Sequence, residues 1–479
     1  MGSKSKTIGK STFLLTTMLR FVPAFFLVFL CCSCTSQQGD LPNIIIILVD
    51  DLGERDLGCY GQKFIETPHI DQLAKDGAKW NNAYSSCPVC SPSRVAILTG
   101  KNPARVHFTG HITRIGRHRY PENARIIPPD DLMDIPLEET ILPEALKPLG
   151  YTSISIGKWH VGREGFWPID MGFNKNIAGW THGMPPSHFY PYQNPEEPWN
   201  ASIPTLKGGK EGEYLTDRLT EEAIKFITEN KNNPFLLYLS HYAVHTPMQA
   251  PKHLIDKYEK IVAGSKINPV YAAMVESVDL NVGKLLNAVD KLNLTENTAI
   301  ILASDNGGLM TVTDNSPYKL GKGHLYEGGI RVPFLIKWPK TIRGGIEVAK
   351  PTISTDIFST VLDIAGIDLE KHGTLDGRSV LHDLQGGNEN EDLFWYYPHY
   401  APQTNRPGAA IRSGKYKLIQ FYDPPEIELY DLENDLGETT NLIDARPETA
   451  KNLLKKLDDW LMETKPIMHE ENPDYDPEN

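Results

Sequence analysis

Cysteine is scarce in this chain, which has six cysteines in 479 residues. Three of them lie close together near the N-terminus, so that only Cys59, Cys87 and Cys90 remain in the rest of the sequence. So few cysteines exclude a disulfide framework as the basis of the fold. Cys87 and Cys90 have the spacing of a redox pair or of half a zinc site, but no second Cys-x-x-Cys completes a zinc site. The redox pair, the metal site and simple burial of the thiols stay open as alternatives at this point.

Basic charge and long apolar runs are also lacking. The chain has 48 Lys and Arg residues against 61 Asp and Glu residues, and its net charge of −13 argues against a nucleic-acid-binding protein. It does not exclude an anionic substrate, because a local cationic pocket can oppose the global sign. Hydrophobic residues make up 40% of the chain and charged residues 23%, which is ordinary for a globular protein.

The N-terminus has the pattern of an export signal. Basic residues precede an apolar run over residues 21–30, which is too short to span a bilayer as a helix and suits the apolar region of a secretory signal. The sequence Cys-Cys-Ser-Cys follows at once and resembles the end of a bacterial lipoprotein signal, with Cys34 as the lipidated residue. We expect a signal peptide over residues 1–34, a tether over 35–41, and an exported protein that is periplasmic or held at the outer membrane by its lipid alone. An ordinary cleaved signal is the alternative.

Four apolar segments, over residues 43–49, 151–156, 235–240 and 298–304, predict buried strands of a parallel sheet covered by helices. A set of polar residues follows these strands: Asp50 and Asp51, Lys158 and His160, His241 and His245, and Asp305 and Asn306. An α/β sheet binds its ligand at the carboxyl ends of its strands, so we expect most of these side chains to meet at one edge. A solvated turn explains the two adjacent aspartates equally well when they are taken alone, and His241 is interpreted as structural. The repetition of the pattern is what favours a site.

Outside these four strands, the hydrophobic periodicity predicts several helices and a group of short strands that form a smaller C-terminal region. Helices are expected over residues 69–80, 142–149, 214–230, 271–292, 355–367 and 447–464, and short strands over 394–397, 410–412, 416–421 and 428–430. Residues 166–212 have no clear period and are rich in Pro, Gly, Trp and Tyr, which indicates a functional insertion that forms a pocket wall. We therefore expect a catalytic domain over 42–385 and a C-terminal subdomain over 386–479.

The segment around Cys90 reads as a loop that runs into a helix. Ser91 is a favourable N-cap and Pro92 suits the first helical turn, which would place Cys90 just outside the helix. Arg94 follows about one turn later. The helix dipole and the guanidinium both favour negative charge at this point, so the segment predicts a site for an anionic substrate.

Several motifs together resemble the type I, formylglycine-dependent sulfatases of the alkaline phosphatase-like superfamily. The sequence Cys-Ser-Pro-Ser-Arg at 90–94, followed by a hydrophobic stretch and Thr-Gly, resembles the family signature, and Gly-Lys-Trp-His at 157–160 resembles a second one. Lys322 lies before a Glu-Gly-Gly turn, as in the family, whereas His324 stands where a small hydroxyl residue is usual and Leu436 where a proline is usual. The resemblance covers about residues 42–464. It implies an α/β fold with a mixed, mostly parallel sheet sandwiched by helices and a smaller C-terminal antiparallel subdomain.

The same resemblance implies a role for each site residue. Cys90 would be oxidised to formylglycine (3-oxoalanine) by a formylglycine-generating enzyme, and its hydrate would be the nucleophile. Lys158 and Lys322 would clamp the sulfuryl oxygens, and Arg94 would support the hydrate and the carboxylates. His245, alone or with Lys322, would protonate the leaving oxygen, and His160 would deprotonate the hydrate to expel sulfate. One divalent cation, calcium or else magnesium, would be held by oxygen ligands and by residue 90. These metal-ligand predictions are Asp50, Asp51, Cys90, Asp305 and Asn306.

The implied reaction is hydrolysis of a sulfate ester of a carbohydrate, with sulfated galactose or N-acetylgalactosamine favoured by the resemblance. His324, His399 and Arg406 are candidate substrate ligands. A phosphoester or phosphonate hydrolase of the same fold is one alternative, and an inactive lipoprotein that binds sulfated glycans is another. The second alternative predicts losses at the motif positions, and none is lost.

Overall fold

A computed structural model describes residues 41–112, 120–385 and 391–478. The predicted signal peptide, all but the last residue of the predicted tether, and the start of the predicted C-terminal subdomain lie outside the described residues. The boundary between residues 385 and 386 therefore stays a prediction.

The described strands are numbered in chain order. They are β1 (Asn43–Val49), β2 (Ala78–Trp80), β3 (Ala83–Tyr84), β4 (Ile126–Ile127), β5 (Thr152–Gly157), β6 (Lys175–Ile177), β7 (Phe235–His241), β8 (Thr298–Ser304), β9 (Phe334–Lys337), β10 (Ile346–Val348), β11 (Thr352–Ile353), β12 (Leu393–Tyr397), β13 (Gly408–Ser413), β14 (Tyr416–Tyr422), β15 (Pro425–Asp431) and β16 (Glu470–Glu471).

The helices are numbered in the same way. They are α1 (Pro68–Asp76), α2 (Cys90–Thr99), α3 (Pro103–Val106), α4 (Leu142–Leu146), α5 (Leu215–Asn230), α6 (Lys252–Ile261), α7 (Pro269–Lys291), α8 (Glu327–Ile330), α9 (Thr355–Ile364) and α10 (Pro447–Thr464). Short 3₁₀ helices span Glu54–Asp56, Gly58–Tyr60, Lys147–Leu149, Pro198–Asn200, Thr295–Asn297, Leu369–His372 and Val380–Gln385. None of the described helices is long and apolar enough to cross a membrane.

A mixed sheet with the strand order β10-β2-β9-β8-β1-β7-β5-β6 forms the centre of the molecule. Its pairs are parallel except that β9 runs antiparallel to β2 and to β8. Strand β1 lies between β7 and β8 and is buried along its whole length. A strand with neighbours on both sides and helices on both faces requires a continuous apolar sequence, which explains the run of four isoleucines in β1. The mixed, mostly parallel sheet matches the fold prediction.

Two hydrophobic layers cover this sheet. Ile45 and Ile47 pack into a cluster with apolar residues of α1, α5, α6 and α7, whereas Ile44 and Ile46 pack into another with those of α2, α4 and α9. Alternate residues of one strand thus serve opposite layers. Each such isoleucine stabilises the fold by about 1.5–3 kcal/mol.

The C-terminal antiparallel sheet, with the order β12-β13-β14-β15, packs between α10 and the catalytic part of the chain. Trp395 and Ile419 contact the cluster that contains Tyr84 and Leu325, and the Trp395 indole donates to the Ser85 carbonyl at 2.7 Å. The sheet therefore rests against the segments that carry Cys90 and Lys322.

One predicted helix differs from the structure. The helix expected over residues 69–80 ends at Asp76, and Ala78–Trp80 form strand β2. Gly77 makes this change of direction possible, because a Cβ at this position would lie 2.2 Å from the Ile336 carbonyl oxygen of β9. Pairing of β2 with β9 outweighs the helical spacing of these residues.

Candidate active site

The predicted polar residues meet at the carboxyl ends of the central strands. Val49 of β1 is in register with His241 of β7 and with Ser304 of β8, so the residues that follow these strands come together. Asp50 and Asp51 thereby lie beside Asp305 and Asn306, and Lys158 joins them from the end of β5. Most of the side chains selected from the sequence form one buried cluster.

Cys90 is the first residue of α2, so the prediction that Ser91 caps this helix is wrong. Val89 is the N-cap, in an extended conformation, and the Ser91 hydroxyl instead accepts a hydrogen bond from the Ile112 amide at 3.1 Å. The Ser93 hydroxyl donates to the Cys87 carbonyl at 2.8 Å and accepts from the Cys87 amide, which closes the loop before the helix. The Cys90 Sγ lies 3.5 Å from Lys322 Nζ and 4.0 Å from Asp51 Oδ1.

Arg94 is fully buried beneath the cluster and supports it. Its Nε donates to Asp305 Oδ2 at 2.8 Å, and its Nη1 donates to the Lys158 carbonyl at 3.0 Å and to the Ser240 hydroxyl at 2.6 Å. Burial alone would lower the pKa of Arg94, but the charges of Asp305 and Asp50 raise it overall. The guanidinium therefore stays charged and ties the ends of three strands together.

Two lysines pair with the adjacent aspartates. Lys158 Nζ lies 2.8 and 2.7 Å from the two oxygens of Asp50, and Lys322 Nζ lies 2.6 and 2.7 Å from the two oxygens of Asp51. With Asp305 paired to Arg94, the cluster holds carboxylates and cations in equal number.

The oxygen atoms of the cluster fit a divalent cation. Ligand atoms of Asp50, Cys90 and Asp305 lie within 4.8 Å of one another, as do those of Asp51, Cys90 and His245. Asn306 Nδ2 donates to Asp51 Oδ1 at 2.8 Å, whereas its Oδ1 is buried and has no hydrogen-bond partner among the described residues. An orphaned amide oxygen beside three carboxylates is the arrangement that calcium or magnesium prefers.

Two histidines border the cluster. His245 Nε2 lies 3.7 Å from Asp51 Oδ2, and its Nδ1 lies 3.0 Å from the Thr246 carbonyl and 3.1 Å from the Thr246 hydroxyl. Because the carbonyl can only accept, the proton of the neutral ring is on Nδ1, and Nε2, the nitrogen that faces Asp51, carries a proton only when the ring gains a second one. His160 follows β5 with its ring against Gly183, where a Cβ would lie 2.4 Å from a ring carbon. Each histidine thus has a ring fixed by its surroundings.

Comparison with known protein families decides the identity. A family model described as Sulfatase matches residues 42–367, and one described as N-sulphoglucosamine sulphohydrolase, C-terminal, matches residues 319–466. The chain belongs to the sulfatase family. It is an enzyme that hydrolyses sulfate esters, and the prediction of the family is confirmed.

Relatives agree with this assignment over most of the chain. A sulfatase of Formosa agariphila is 31% identical over 88% of this chain and 89% of its own length, and the N-acetylgalactosamine-6-sulfatase of Canis lupus familiaris is 34% identical over 74% and 68%. Among solved structures, Ps i-CgsB in complex with k-i-k-neocarrahexaose has a TM-score of 0.75 at 30% identity, covering 88% of this chain and 93% of that one. The alkaline phosphatase-like fold prediction is confirmed.

The electrostatics of this sulfatase keep the Cys90 thiol neutral. Burial raises the pKa of Cys90 to about 12, although Lys158 and Lys322 oppose the effect. Burial also raises the pKa of Asp50, whereas the charges of Lys158 and Arg94 lower it. For Asp51, the pKa is lowered by Lys322 and His245 despite burial. An unmodified Cys90 is therefore a poor nucleophile, because the thiolate is the reactive form.

The histidines of this sulfatase are held in the uncharged form. Burial lowers the pKa of His245 to about 3, with Lys322 adding to the effect and Asp51 opposing it. Burial and the charges of Lys158 and Arg94 lower the pKa of His160 well below its usual value. For His245, the proton of the neutral ring is bound to the Thr246 carbonyl, so Nε2 must gain a proton before it can donate one.

The candidate substrate ligands lie in different settings. His324 is 7% exposed, and its Nδ1 faces the carbonyls of Gly321 and Lys322 at 3.1 and 3.2 Å, so it shapes the turn that carries Lys322. His399 is fully buried against Thr109 and Asp131. Arg406 lies over the Phe421 ring and pairs with Glu426 and Glu428. The structure does not bring His399 and Arg406 into the charged cluster, and their role as substrate ligands stays a prediction.

Sequence reasoning missed two features of the site. His111 is half-buried, and burial together with the nearby charges of Lys322 and Lys158 lowers its pKa, but it follows no strand, so no sequence pattern pointed to it. Glu327 and Glu438 bind the fully buried Lys417 at 3.0 and 2.9 Å and join the Lys322 segment to the C-terminal sheet. This buried lysine bridge links residues that are far apart in sequence, and no local pattern predicts it.

Proposed function

We propose that this sulfatase removes sulfate from a sulfated carbohydrate. The observation that carries the proposal is the buried cluster at the strand ends, where Cys90 lies between paired lysines and carboxylates. A carbohydrate is favoured because one relative is an N-acetylgalactosamine-6-sulfatase and because Ps i-CgsB was solved with k-i-k-neocarrahexaose. The aromatic segment 166–212 reaches the site through the contact of Gly183 with His160, which supports its role as a pocket wall.

Cys90 is converted to formylglycine by a formylglycine-generating enzyme in this proposal. The Cys-Ser-Pro-Ser-Arg sequence supports the conversion, and the neutral thiol is unsuited to attack without it. Cys87 lacks the downstream Pro and Arg at the required spacing. Its pKa is also raised by burial, so neither cysteine supplies a thiolate.

One divalent cation, calcium or else magnesium, is held by Asp50, Asp51, Asp305 and Asn306 next to residue 90. When present, the cation supplies charge compensation for the sulfate group, and formylglycine supplies the nucleophile. Hard oxygen ligands favour these two metals over zinc.

The side chains of the chain itself position the ester and move protons. Lys158 and Lys322 each have one carboxylate partner in the cluster, and a bound cation would free them to contact the sulfuryl oxygens. His245, once Nε2 is protonated, gives that proton to the leaving oxygen, and His160 removes a proton from residue 90 in the second half of the reaction. Each such acid or base typically contributes about a hundred- to ten-thousand-fold in rate.

Activity against a panel of position-defined sulfated galactose and N-acetylgalactosamine derivatives tests the proposal, with matched phosphate esters as competitors. The enzyme is co-produced with a formylglycine-generating enzyme and assayed with calcium. We expect cleavage of sulfate esters, formylglycine at position 90 by peptide mass spectrometry, and about one calcium ion per chain. Faster cleavage of phosphate esters together with two zinc ions per chain would replace the proposal with a phosphatase.

A pair of cysteine variants provides the matched control. Cys90→Ala removes the modified residue, so turnover should be lost, whereas Cys87→Ser should keep most of the activity. Full activity in protein that carries only unmodified Cys90 would contradict the formylglycine mechanism.

The export proposal has a test of its own. The protein is anchored through a lipid on Cys34 and has no other membrane contact, so Cys34→Ala should move it from the membrane to the soluble fraction. An unchanged fractionation and a mature N-terminus elsewhere would favour an ordinary cleaved signal.

A further inference from the structure

The insertion over residues 166–212 contacts the His245 loop through a buried histidine. His188 is fully buried, and its Nε2 lies 3.1 Å from the backbone carbonyl oxygen of His245. A carbonyl oxygen can only accept a hydrogen bond, so the Nε2 of His188 carries the proton and donates. The ring is thereby fixed in one tautomer and pinned to the backbone of the residue to which the proposed function assigns the leaving-group proton.

The backbone of His188 is itself anchored. Its amide donates to Gln249 Oε1 at 2.7 Å, its carbonyl accepts from the Leu215 amide at 2.7 Å, and its ring lies against Tyr214 at 5.9 Å between centroids. The Tyr214 hydroxyl donates to the Gln249 carbonyl at 2.8 Å. His188 is therefore attached to the start of α5 and to the chain just after His245, and none of these contacts involves the His245 ring.

We infer that His188 is a positioning residue for His245. The His245 carbonyl belongs to the peptide that joins it to Thr246, and Thr246 supplies both oxygens next to the His245 Nδ1. Fixing this peptide restrains the backbone of Thr246, which carries both oxygens. The two oxygens in turn restrain the direction in which the His245 Nε2 points. The inference rests on the proposed role of His245, because it assigns His188 to the same proton transfer.

A small displacement at this point has a large effect on rate. Misplacing a reacting group by 1 Å can lower turnover by about a hundredfold, and a well-placed general acid contributes about a hundred- to ten-thousand-fold. Loss of the His188 hydrogen bond should therefore lower kcat by roughly ten- to a hundredfold, since the ring loses its alignment without being removed. KM should change little, because the fully buried His188 exposes no atom to a substrate.

Glutamine and methionine provide a matched pair of variants. The two side chains are similar in length, but only glutamine has an N–H that can reach the His245 carbonyl. His188→Gln should keep kcat within about threefold of the wild type, and His188→Met should show the full loss. His241→Gln is the control for burial, because His241 is equally buried at the end of β7 and its ring nitrogens have no hydrogen-bond partner among the described residues.

A double-mutant cycle separates positioning from general damage. In a His245→Ala background, His188→Met should lower the turnover of phenyl sulfate by less than about twofold, because the group that it positions is gone. With His245 present, His188→Met should lower the rate of phenyl sulfate hydrolysis more than that of 4-nitrophenyl sulfate hydrolysis, because the less basic leaving group of the second ester needs less protonation. An equal loss in both backgrounds, or for both esters, would overturn the inference.

Nuclear magnetic resonance of the wild-type protein with ¹⁵N-labelled histidine gives a readout that needs no stable variant. We expect the His188 signal to report a proton on Nε2, and a proton on Nδ1 would overturn the inference.

The outcomes also separate the two proposals. A wild type that cleaves no sulfate ester contradicts the proposed function, whereas an active wild type in which His188→Met equals His188→Gln contradicts the inference alone.

Discussion

Replacing Lys322 with methionine should increase the stabilisation that a divalent cation gives to this sulfatase. Lys322 Nζ contacts both oxygens of Asp51, and the two side chains are only 8% and 4% exposed. Without the lysine, the cluster holds one more buried carboxylate charge than it has side-chain cations. A divalent cation replaces the missing charge, so the variant should depend on the cation more strongly than the wild type does.

The size of the effect follows from this charge count. Removing one partner of a buried pair typically lowers the free energy of unfolding by about 3–5 kcal/mol, because the other charge is left uncompensated. A cation present at about 100 times its Kd stabilises the wild type by about 2.7 kcal/mol. Two unit charges 4 Å apart interact by about 4 kcal/mol near a protein surface, so a tenfold gain in cation affinity is the smallest that we expect. The same ion concentration would then stabilise the variant by about 4.1 kcal/mol.

Thermal melts in excess chelator and in excess calcium measure this difference. We expect the calcium-dependent rise in Tm to be larger in Lys322→Met than in the wild type by at least roughly 1.5 °C, while turnover is lost. Lys319→Met is the matched control, because Lys319 lies in the same segment but contacts Tyr430 and the Glu438 carbonyl. An equal or smaller calcium-dependent rise in Lys322→Met would refute the charge-balance reasoning.

Three further changes test the site and its support. Asp305→Ala should abolish turnover and lower Tm even in excess calcium, because the buried Arg94 loses its hydrogen-bonded carboxylate. Lys417→Met should lower the free energy of unfolding in urea by about 3 kcal/mol or more, because it removes the buried cation that Glu327 and Glu438 share. Burial lowers the pKa of His241 from 6.5 to about 4, so the unfolded chain binds a proton more readily than the folded protein does. The free energy of unfolding therefore falls by up to about 3 kcal/mol as the pH decreases from 6.5 to 4. The urea midpoint of His241→Gln should therefore fall less between pH 7 and pH 5 than that of the wild type.

The charged cluster was largely predictable because its members follow strong strand signals. The isoleucine run of β1 strongly predicts a buried strand, and so does the apolar sequence of β8. Asp50 and Asp305 could therefore be placed at one edge of a sheet. The helical start at Cys90 could be placed only to within two residues, because the predicted N-cap was Ser91 and the observed one is Val89. Local preferences favoured Ser91 as the cap, but the Ser91 hydroxyl has a tertiary partner in the Ile112 amide.

The contacts between distant segments could not be predicted in this way. Lys417 lies in a strand whose alternation indicates only which face is buried, and its partners are set by how the C-terminal sheet packs. The insertion that carries His188 has no period, so the sequence offered no means of placing that ring beside the His245 carbonyl. Both cases concern side chains whose partners are fixed by tertiary packing and not by local spacing.

The charge balance of the cluster explains how an acidic protein can act on an anion. The chain has a net charge of −13, so long-range attraction does not draw a sulfate ester to it. Within the cluster, Asp50, Asp51 and Asp305 are matched in number by Lys158, Lys322 and Arg94, so the site has no excess of negative charge. A divalent cation would make the same site positive, at a depth where dissolved salt screens charges poorly. The affinity for an anionic substrate would then depend on the cation and on the lysines that it frees. The negative surface of the protein would not contribute to this affinity.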